Sequence, residues 1–489
     1  MNKSLFAERR VFVILAIFLL SIAVRVLTAE YIDIGGDNAA RWTYVLGLLQ
    51  GVDMQLSHHS ARWGIVIPLW GVMKLFGTNP ANYYILPILF ASLGTVMLYL
   101  IGERLGGYRL GLMSALLTIL FPQMTQSGSQ LWPSIFQFAF IAFAVWVLLL
   151  WQEKQKTEYI VAAAVAFFLA WGTRLTAVYF IPGLLLFIWF PVRKFKPVFT
   201  FCVLVGLLCS LEWIAFWLYT GNPMGRLGVI QSTALTHHVT YTAQEYFLNF
   251  LNYKKLRGLL PILILTVVAA CIMLRRQDWR WRNLAMLYLA YLFLLTYMIS
   301  GINPLRRAGD PSTRFWCAAA PFGLLLLCQW LLELQQRYSR TAKTLLVILF
   351  IAFFAFTVKK IPATNSLIQV ARDHAILSPV ISAREPVMLY WEPWRPNAVE
   401  GILYDLFGVT KRPRGSSPGQ VKTALLRGKH RLLAFNMKDM REYYVFLKSD
   451  LVQVDDFSFL YVPPGATPDQ PAGASVYFDR RHAYAMAAP

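Results

Sequence analysis

Ile34-Gly-Gly-Asp-Asn-Ala-Ala-Arg-Trp42 is a short polar stretch set directly behind an apolar run that ends near residue 28. Two glycines free the backbone, Asp37 follows them, and a helix-like run continues to about Gly51. The stretch places one carboxylate where the chain leaves an apolar environment. What that carboxylate can do depends on whether the flanking runs cross a membrane.

Composition decides that point. The chain has 489 residues, 57% of them hydrophobic, with a mean hydropathy of +0.50. It is too apolar for a soluble protein and has room for about a dozen spans of roughly 20 residues each. Apolar segments fall at 11–28, 83–103, 108–124, 133–151, 159–172, 175–190, 197–219, 258–274, 284–301, 315–334 and 343–358, which predicts eleven crossings. With the N-terminus inside, every inner loop is basic: Arg104 and Arg109, Lys154 and Lys156, Arg193 to Lys196, Arg275 to Arg282, and Arg337 to Lys343. The net charge of +21 is therefore read as topology, not as a nucleic-acid surface. Lys3, Arg9 and Arg10 precede a first run with no small-residue cleavage site, so that run is read as a retained span. The five cysteines, Cys202, Cys209, Cys271, Cys317 and Cys328, all lie in apolar runs and indicate no disulfide framework.

Two places test the count. Inserting Ala61 to Phe76 would reverse the parity of every later basic cluster, so it is read as a helix lying in the interface. Thr157 to Phe190 as one helix would run about 50 Å, well beyond a bilayer core of about 30 Å. It is read as a tight hairpin that turns at Trp171-Gly-Thr-Arg174, where Arg174 needs water, a carboxylate or a phosphate. The expected architecture is an α-helical polytopic membrane domain, residues 1–360, and a small extracytoplasmic α/β domain, residues 361–489. In the latter, Pro386–Trp391, Arg431–Phe435 and 451–462 look like strands, and 397–407, 419–427 and 439–448 like helices. The Pro, Gly and Ala-rich tail beyond Pro464 is expected to be loosely ordered.

Outer loops should be poor in basic residues, so the exceptions are informative. Arg306, Arg307 and Arg314 share one outer loop, and Lys254 and Lys255 precede another span. Converging outer cations point to an anionic ligand, and at membrane level to a phosphate carried on a lipid. Contact with lipid headgroups, or a salt bridge to Asp310, is the plainer alternative. Asp37 likewise has two readings, a base beside a phosphate clamp or a helix N-cap paired with Arg41. Glu212, a carboxylate inside an apolar run, is either catalytic or the structural partner of an arginine such as Arg174. Glu30 and Asp53 are weaker candidates. His58, His59, Arg62 and Arg41 are secondary candidates on the acceptor side, and the His58-His59 pair lacks any metal-ligand spacing. No Walker motif, dinucleotide fingerprint or Gly-x-Ser-x-Gly elbow is present.

In order along the chain, Arg25, Gly36-Asp37, Trp63 to Phe76, Ile101-Gly-Glu-Arg-Leu-Gly-Gly-Tyr-Arg-Leu-Gly-Leu112, Phe168-Leu-Ala-Trp-Gly-Thr-Arg174 and Arg314-Phe-Trp-Cys-Ala-Ala-Ala-Pro321 resemble the membrane glycosyltransferases of GT-C fold. The likeness is nearest to the protein O-mannosyltransferase and aminoarabinose transferase branch and covers most of residues 10–335. It implies transfer of a sugar from a polyprenyl-phosphate donor to a lipid, glycan or protein hydroxyl on the outer face, with inversion. The family's acidic residue in the first outer loop maps onto Asp37. A second acidic residue follows it in many members, whereas this chain has Asn38, so no cofactor or metal is expected. A lipid-linked oligosaccharide polymerase or ligase and a flippase of lipid-linked sugars remain alternatives, although no internal repeat supports transport. The expected location is a bacterial inner membrane, with a cytoplasmic N-terminus and an extracytoplasmic C-terminal domain.

Overall fold

The computed structural model describes residues 3–30, 32, 37–51, 56–234, 242–248, 259–302, 305–307, 313–337, 339–361, 366–368 and 370, with eight short strands beyond residue 386. The first helices are α1 (Lys3–Leu27), α2 (Asp37–Leu49), α3 (Trp63–Phe76), α4 (Ile85–Gly106), α5 (Tyr108–Leu120) and α6 (Pro122–Ser127). Next come α7 (Pro133–Lys154), α8 (Thr157–Thr173), α9 (Ile181–Val192), α10 (Phe195–Thr220), α11 (Gly225–Ala234) and α12 (Ala243–Phe247). The series ends with α13 (Leu260–Leu274), α14 (Trp279–Tyr297), α15 (Thr313–Trp316), α16 (Ala320–Arg337) and α17 (Ser339–Lys359). Helices cover most of each apolar segment of the sequence, although 175–190 begins in a 3-10 turn at Leu175–Phe180 and 284–301 ends in a strand at Ile299–Ile302. Among the described residues, five stretches, Arg10–Leu27, Pro80–Gly106, Pro133–Lys154, Leu175–Val192 and Phe195–Thr220, are long and apolar enough to cross a membrane by length and composition alone. The protein is an integral membrane protein built mostly of helices.

The chain divides into two compact units. One comprises Met1–Glu30, Gln55–Val72 and Tyr83–Asn365; the other comprises Tyr31–Met54, Met73–Asn82 and Ser366–Pro489. In the first unit α7 is the central helix, packed on α4 and α8 with α9 alongside. Small residues let backbones approach: a Cβ added at Gly102 would lie 2.9 Å from the Gly111 Cα, which is how α4 and α5 close into a hairpin. Ile17, Val96, Tyr99, Leu100, Ala115 and Ile119 form a buried cluster joining α1 to that hairpin. By contrast, only 11% of the apolar window of α10 is buried, so its side chains are left for lipid.

Ion pairs gather the basic helix ends at one end of this unit. Arg10 on α1 meets Glu103 on α4 at 2.8 Å, and Arg104 grips Glu153 on α7 through two hydrogen bonds, one of 2.6 Å. Arg276 pairs with Glu333 on α16. Asp278 caps α14 by accepting from the Arg280 amide at 3.0 Å. Burial opposes its charge, yet the Arg280 guanidinium at 2.9 Å holds its carboxyl below the usual carboxylate range. At the opposite end of α1, Glu30 pairs with Lys360 at 3.1 Å.

The expected hairpin between Thr157 and Phe190 is broken at Arg174 as the length argument requires, but its arms part. α8 packs on α7 and α10, whereas α9 packs chiefly on α14, because a 3-10 turn at Leu175–Phe180 separates them. The first unit also holds an antiparallel pair, β1 (Ile299–Ile302) and β2 (Leu305–Arg307), with Gly301 opposite Arg306 and Ile299 opposite Arg307.

In the second unit, β3 (Val387–Tyr390), β4 (Gly415–Ser416), β5 (Arg431–Asn436) and β6 (Glu442–Phe446) form a sheet of order β4-β3-β5-β6. β3 is parallel to β4 and β5, and β6 is antiparallel to β5. The strands expected at 386–391 and 431–435 are present. The helix expected at 439–448 is instead strand β6, whose Tyr443-Tyr-Val-Phe446 core is aromatic and β-branched and pairs with β5. The single strand expected at 451–462 is a hairpin of β7 (Leu451–Gln453) and β8 (Phe459–Tyr461). Within the tail, β9 (Val476–Phe478) pairs with β10 (Ala483–Ala485). The helices expected at 397–407 and 419–427 lie outside the described residues.

Candidate functional site

Helix α8 stops at Thr173 because Arg174 is extended, with φ −164° and ψ 138°. Its last carbonyls are capped from another part of the chain: Arg226 donates to the carbonyls of Trp171 at 3.0 Å and Gly172 at 3.1 Å. The same guanidinium pairs with Glu212 of α10 at 2.8 Å. Glu212 also accepts from the indole N–H groups of Trp63 and, at 2.5 Å, of Trp171. With side chains 4% and 7% exposed, this is a buried, hydrogen-bonded ion pair. The arginine partner of Glu212 is therefore Arg226, not Arg174. At Gly64 an added Cβ would lie 2.7 Å from the Thr173 nitrogen, so α3 touches the end of α8 backbone to backbone. Glu212, Arg226 and the two tryptophans fix the break that sets the direction of Arg174.

Beyond that break two of the predicted cations converge. The Arg174 guanidinium carbon lies 3.4 Å from the centroid of the Phe315 ring, and that of Arg314 lies 5.6 Å from the same ring and 5.5 Å from Trp132. Their backbones are held from the first turns of α7. Gln137 donates to the Arg174 carbonyl at 3.0 Å and to the Thr176 hydroxyl at 3.2 Å, and the Ser134 hydroxyl donates to the Arg314 carbonyl. The Tyr291 hydroxyl donates to the Phe315 carbonyl at 2.8 Å, while its ring stacks on Phe180 at 4.3 Å. Two guanidinium groups thus lie against one aromatic ring, and their main chains are anchored by Ser134 and Gln137. Ser134, Gln137, Tyr291 and Phe315 were not singled out from the sequence. Polar or aromatic residues inside apolar runs were the available signal for them, and an outer basic residue just past the end of a span was the signal for Arg226.

The other predicted residues fall as follows. Asp37 is the first residue of α2, half-buried, as the helix-like run required. One turn on, buried Arg41 donates to the Asn38 side-chain oxygen at 3.0 Å. Both belong to the second unit, whereas Arg174 and Arg314 belong to the first. Glu30 is anchored where the chain enters that loop: its amide donates to Ser129, and its carbonyl accepts from Gln130 at 3.0 Å and Tyr84 at 2.9 Å. His58 and His59 lie in a turn braced by Ser57 and Ser60, with ring centroids 3.6 Å apart. Arg62 immediately precedes α3 and its carbonyl accepts from Ile65 at 2.9 Å. Among the described residues there is no grouping of three or more metal-ligating side chains. Arg306 and Arg307 sit on β2, and Lys254, Lys255 and Asp53 lie outside the described residues.

The fold defines an integral membrane protein built mostly of helices, in which Arg174 and Arg314 are brought together on the Phe315 ring. The family model described as dolichyl-phosphate-mannose-protein mannosyltransferase matches residues 65–219, so over that stretch the resemblance to GT-C membrane glycosyltransferases is met independently. Similar solved structures include the Archaeoglobus fulgidus oligosaccharyltransferase in complex with zinc and sulfate, at 12% identity over 86% of this chain and 68% of that one, TM-score 0.47. ArnT from Cupriavidus metallidurans bound to undecaprenyl phosphate is similar at 12% identity over 90% of this chain and 94% of that one, TM-score 0.48. The archaeal oligosaccharyltransferase AglB from Archaeoglobus fulgidus, with an inhibitory peptide and a dolichol-phosphate, is similar at 10% identity over 96% and 75%, TM-score 0.46. No curated protein matches the sequence significantly.

Proposed function

We propose that this protein is an inverting membrane glycosyltransferase that moves a sugar from a polyprenyl-phosphate-linked donor to a hydroxyl acceptor on the outer face. The observation that carries the reading is the convergence of Arg174 and Arg314 on the Phe315 ring, with Arg174 inside the stretch matched by the mannosyltransferase family. Asp37 acts as general base. It takes the proton of the acceptor hydroxyl as that oxygen bonds to the anomeric carbon and the bond from carbon to phosphate oxygen breaks. A positioned base of this kind is worth roughly 10²–10⁴ in rate. The transition state is oxocarbenium-like, and negative charge grows on the departing lipid phosphate. Arg174 and Arg314 receive that charge, with Arg306, Arg307, Lys254 and Lys255 as further donors, an effect of about 3 kcal/mol per donor group. Phosphate leaves without a general acid, and no metal is assigned a role. Loss of transfer in chelator, restored only by a divalent ion, would contradict that last assignment.

The test is release of free polyprenyl phosphate from a panel of polyprenyl-phosphate sugars in membranes, wild type against Asp37→Asn at matched expression. The substitution keeps the size and capping oxygen but removes the base. Turnover by wild type and a loss of roughly 10²–10⁴ in a folded variant support the assignment. Equal rates reduce Asp37 to a helix cap. If wild type turns over no donor, the glycosyltransferase reading gives way to transport. Product mass separates transfer of one sugar from transfer of a whole glycan.

A further inference from the structure

A groove of about 580 Å³ between α4, α7 and α8 takes no part in the site above. Small side chains at Ala139, Ala162 and Ala166 open it, and the rings of Phe90 and Phe140 wall it. Glu158 is the one ionisable side chain among the described residues lining it. Val165, on its edge, is 42% exposed, so the groove faces the surroundings of the bundle and not its core.

The groove has a direction and a depth. Its lining runs along α8 from Glu158 to Leu169, about 16 Å at the helical rise, close to the depth of one leaflet in a hydrocarbon core of about 30 Å. Glu158 marks the end of the bundle where Arg104 meets Glu153, because α7 and α8 are joined there through Gln155, which is left-handed, and the extended Lys156. Arg174 lies at the opposite end of α8, about 24 Å away by the same rise. A lipid whose polar end sits at Glu158 is therefore not the donor carrier whose phosphate would reach Arg174.

Charge at the mouth selects the headgroup. Exposed Lys154 and Lys156 precede exposed Glu158 within five residues, and the neighbouring Glu153 is already paired with Arg104, an arrangement that offers cations to a phosphate and a carboxylate to an ammonium. We propose that the groove binds one phospholipid with a primary-amine headgroup of the ethanolamine type. One acyl chain lies along α8, the phosphate contacts Lys154 and Lys156, and the ammonium contacts Glu158. A choline headgroup offers no N–H to the carboxylate, and a glycerol headgroup offers it hydroxyls but no cation.

Native mass spectrometry of the full chain tests this, with phosphatidylethanolamine, phosphatidylcholine, phosphatidylglycerol and a polyprenyl phosphate added singly and in competition. Wild type should retain one phosphatidylethanolamine, about fivefold over the choline lipid of the same chains, the scale of an exposed ion pair. Glu158→Gln should erase that preference, and Ala162→Leu, which fills the groove, should weaken binding of the ethanolamine lipid. Equal binding of all headgroups by wild type, or an unchanged preference in Glu158→Gln, overturns the proposal. Displacement of phosphatidylethanolamine by polyprenyl phosphate gives the groove to the carrier. A change of oligomeric state in Ala162→Leu gives it to a second copy, and either result overturns the proposal. Should Ala162→Leu fail to fold, Glu158→Gln, a change at an exposed side chain, decides alone.

Discussion

Glu212 with Arg226, and Arg174 with Arg314, are two ways of keeping charge among apolar helices, and they stand on either side of one helix break. At the first, the carboxylate accepts from Arg226, Trp63 and Trp171, and the two terminal nitrogens of the guanidinium also cap α8. Opposite charges cancel, and the group is closed to solvent. At the second, two charges of the same sign share the Phe315 ring, and their main chains are held by Ser134 and Gln137. A neutral, hydrogen-bonded pair has no need of a ligand, whereas the function proposed above gives the two guanidinium groups a phosphate to meet. On the proposed function the first pair is scaffold and the second is site.

The largest effect should come from splitting the neutral pair. Arg226→Met leaves Glu212 buried without its cation and uncaps α8, and should cost about 3–5 kcal/mol in unfolding free energy, whereas Glu212→Leu with Arg226→Met should recover most of that loss. Thermal unfolding in detergent measures both. A double variant no more stable than Arg226→Met would mean that the cap on Trp171 and Gly172, not the charge balance, matters.

Arg174→Met and Arg314→Met should behave in the opposite way. On the proposed assignment each removes a group that meets the donor phosphate, so kcat/KM for the lipid donor should fall about 100-fold, equivalent to about 3 kcal/mol, with a smaller loss of stability than in Arg226→Met. Arg174→Lys should recover only part of it, because a point charge cannot match a planar fork on phosphate. Stability losses as large as those of Arg226→Met, with donor kinetics intact, would show that both pairs are scaffold.

These two charge pairs were unequally visible in the sequence. Arg174 stood out because 157–190 is too long for one span and an arginine at its middle must be tolerated somehow; Arg314 stood out as a cation on the basic-poor side. The apolar runs gave the helices for the same reason, since a bilayer imposes length. Phe315 could not be selected, because an aromatic residue in an apolar run is ordinary. The partner of Glu212 was misassigned because pairing is tertiary: Arg226 follows Glu212 by 14 residues across a turn, and no helical spacing links them. Strand β6 was read as a helix because charged residues precede its short aromatic core and its pairing with β5 is not local.

Phe315→Leu sharpens the cationic side. The ring positions both guanidinium groups, and its loss should weaken donor binding by about 0.5–2 kcal/mol, less than removal of either arginine. Donor KM should rise while kcat moves little. An effect equal to that of Arg174→Met would mean that the ring, and not the charge, organises the phosphate.

The smallest effect tests whether burial or pairing makes Glu212 and Arg226 important. Glu30 and Lys360 form an ion pair of similar length, 3.1 Å against 2.8 Å, but their side chains are 36% and 34% exposed. Water already screens these charges, and the Glu30 backbone is held separately by Ser129, Gln130 and Tyr84. Lys360→Met should therefore cost no more than about 1 kcal/mol, shrinking further as salt is raised, whereas the loss in Arg226→Met should be insensitive to salt. Measured side by side at low and high ionic strength, equal losses for the two variants would show that pairing geometry alone governs stability here. The burial contrast that assigns Glu212 and Arg226 to the scaffold would then fail.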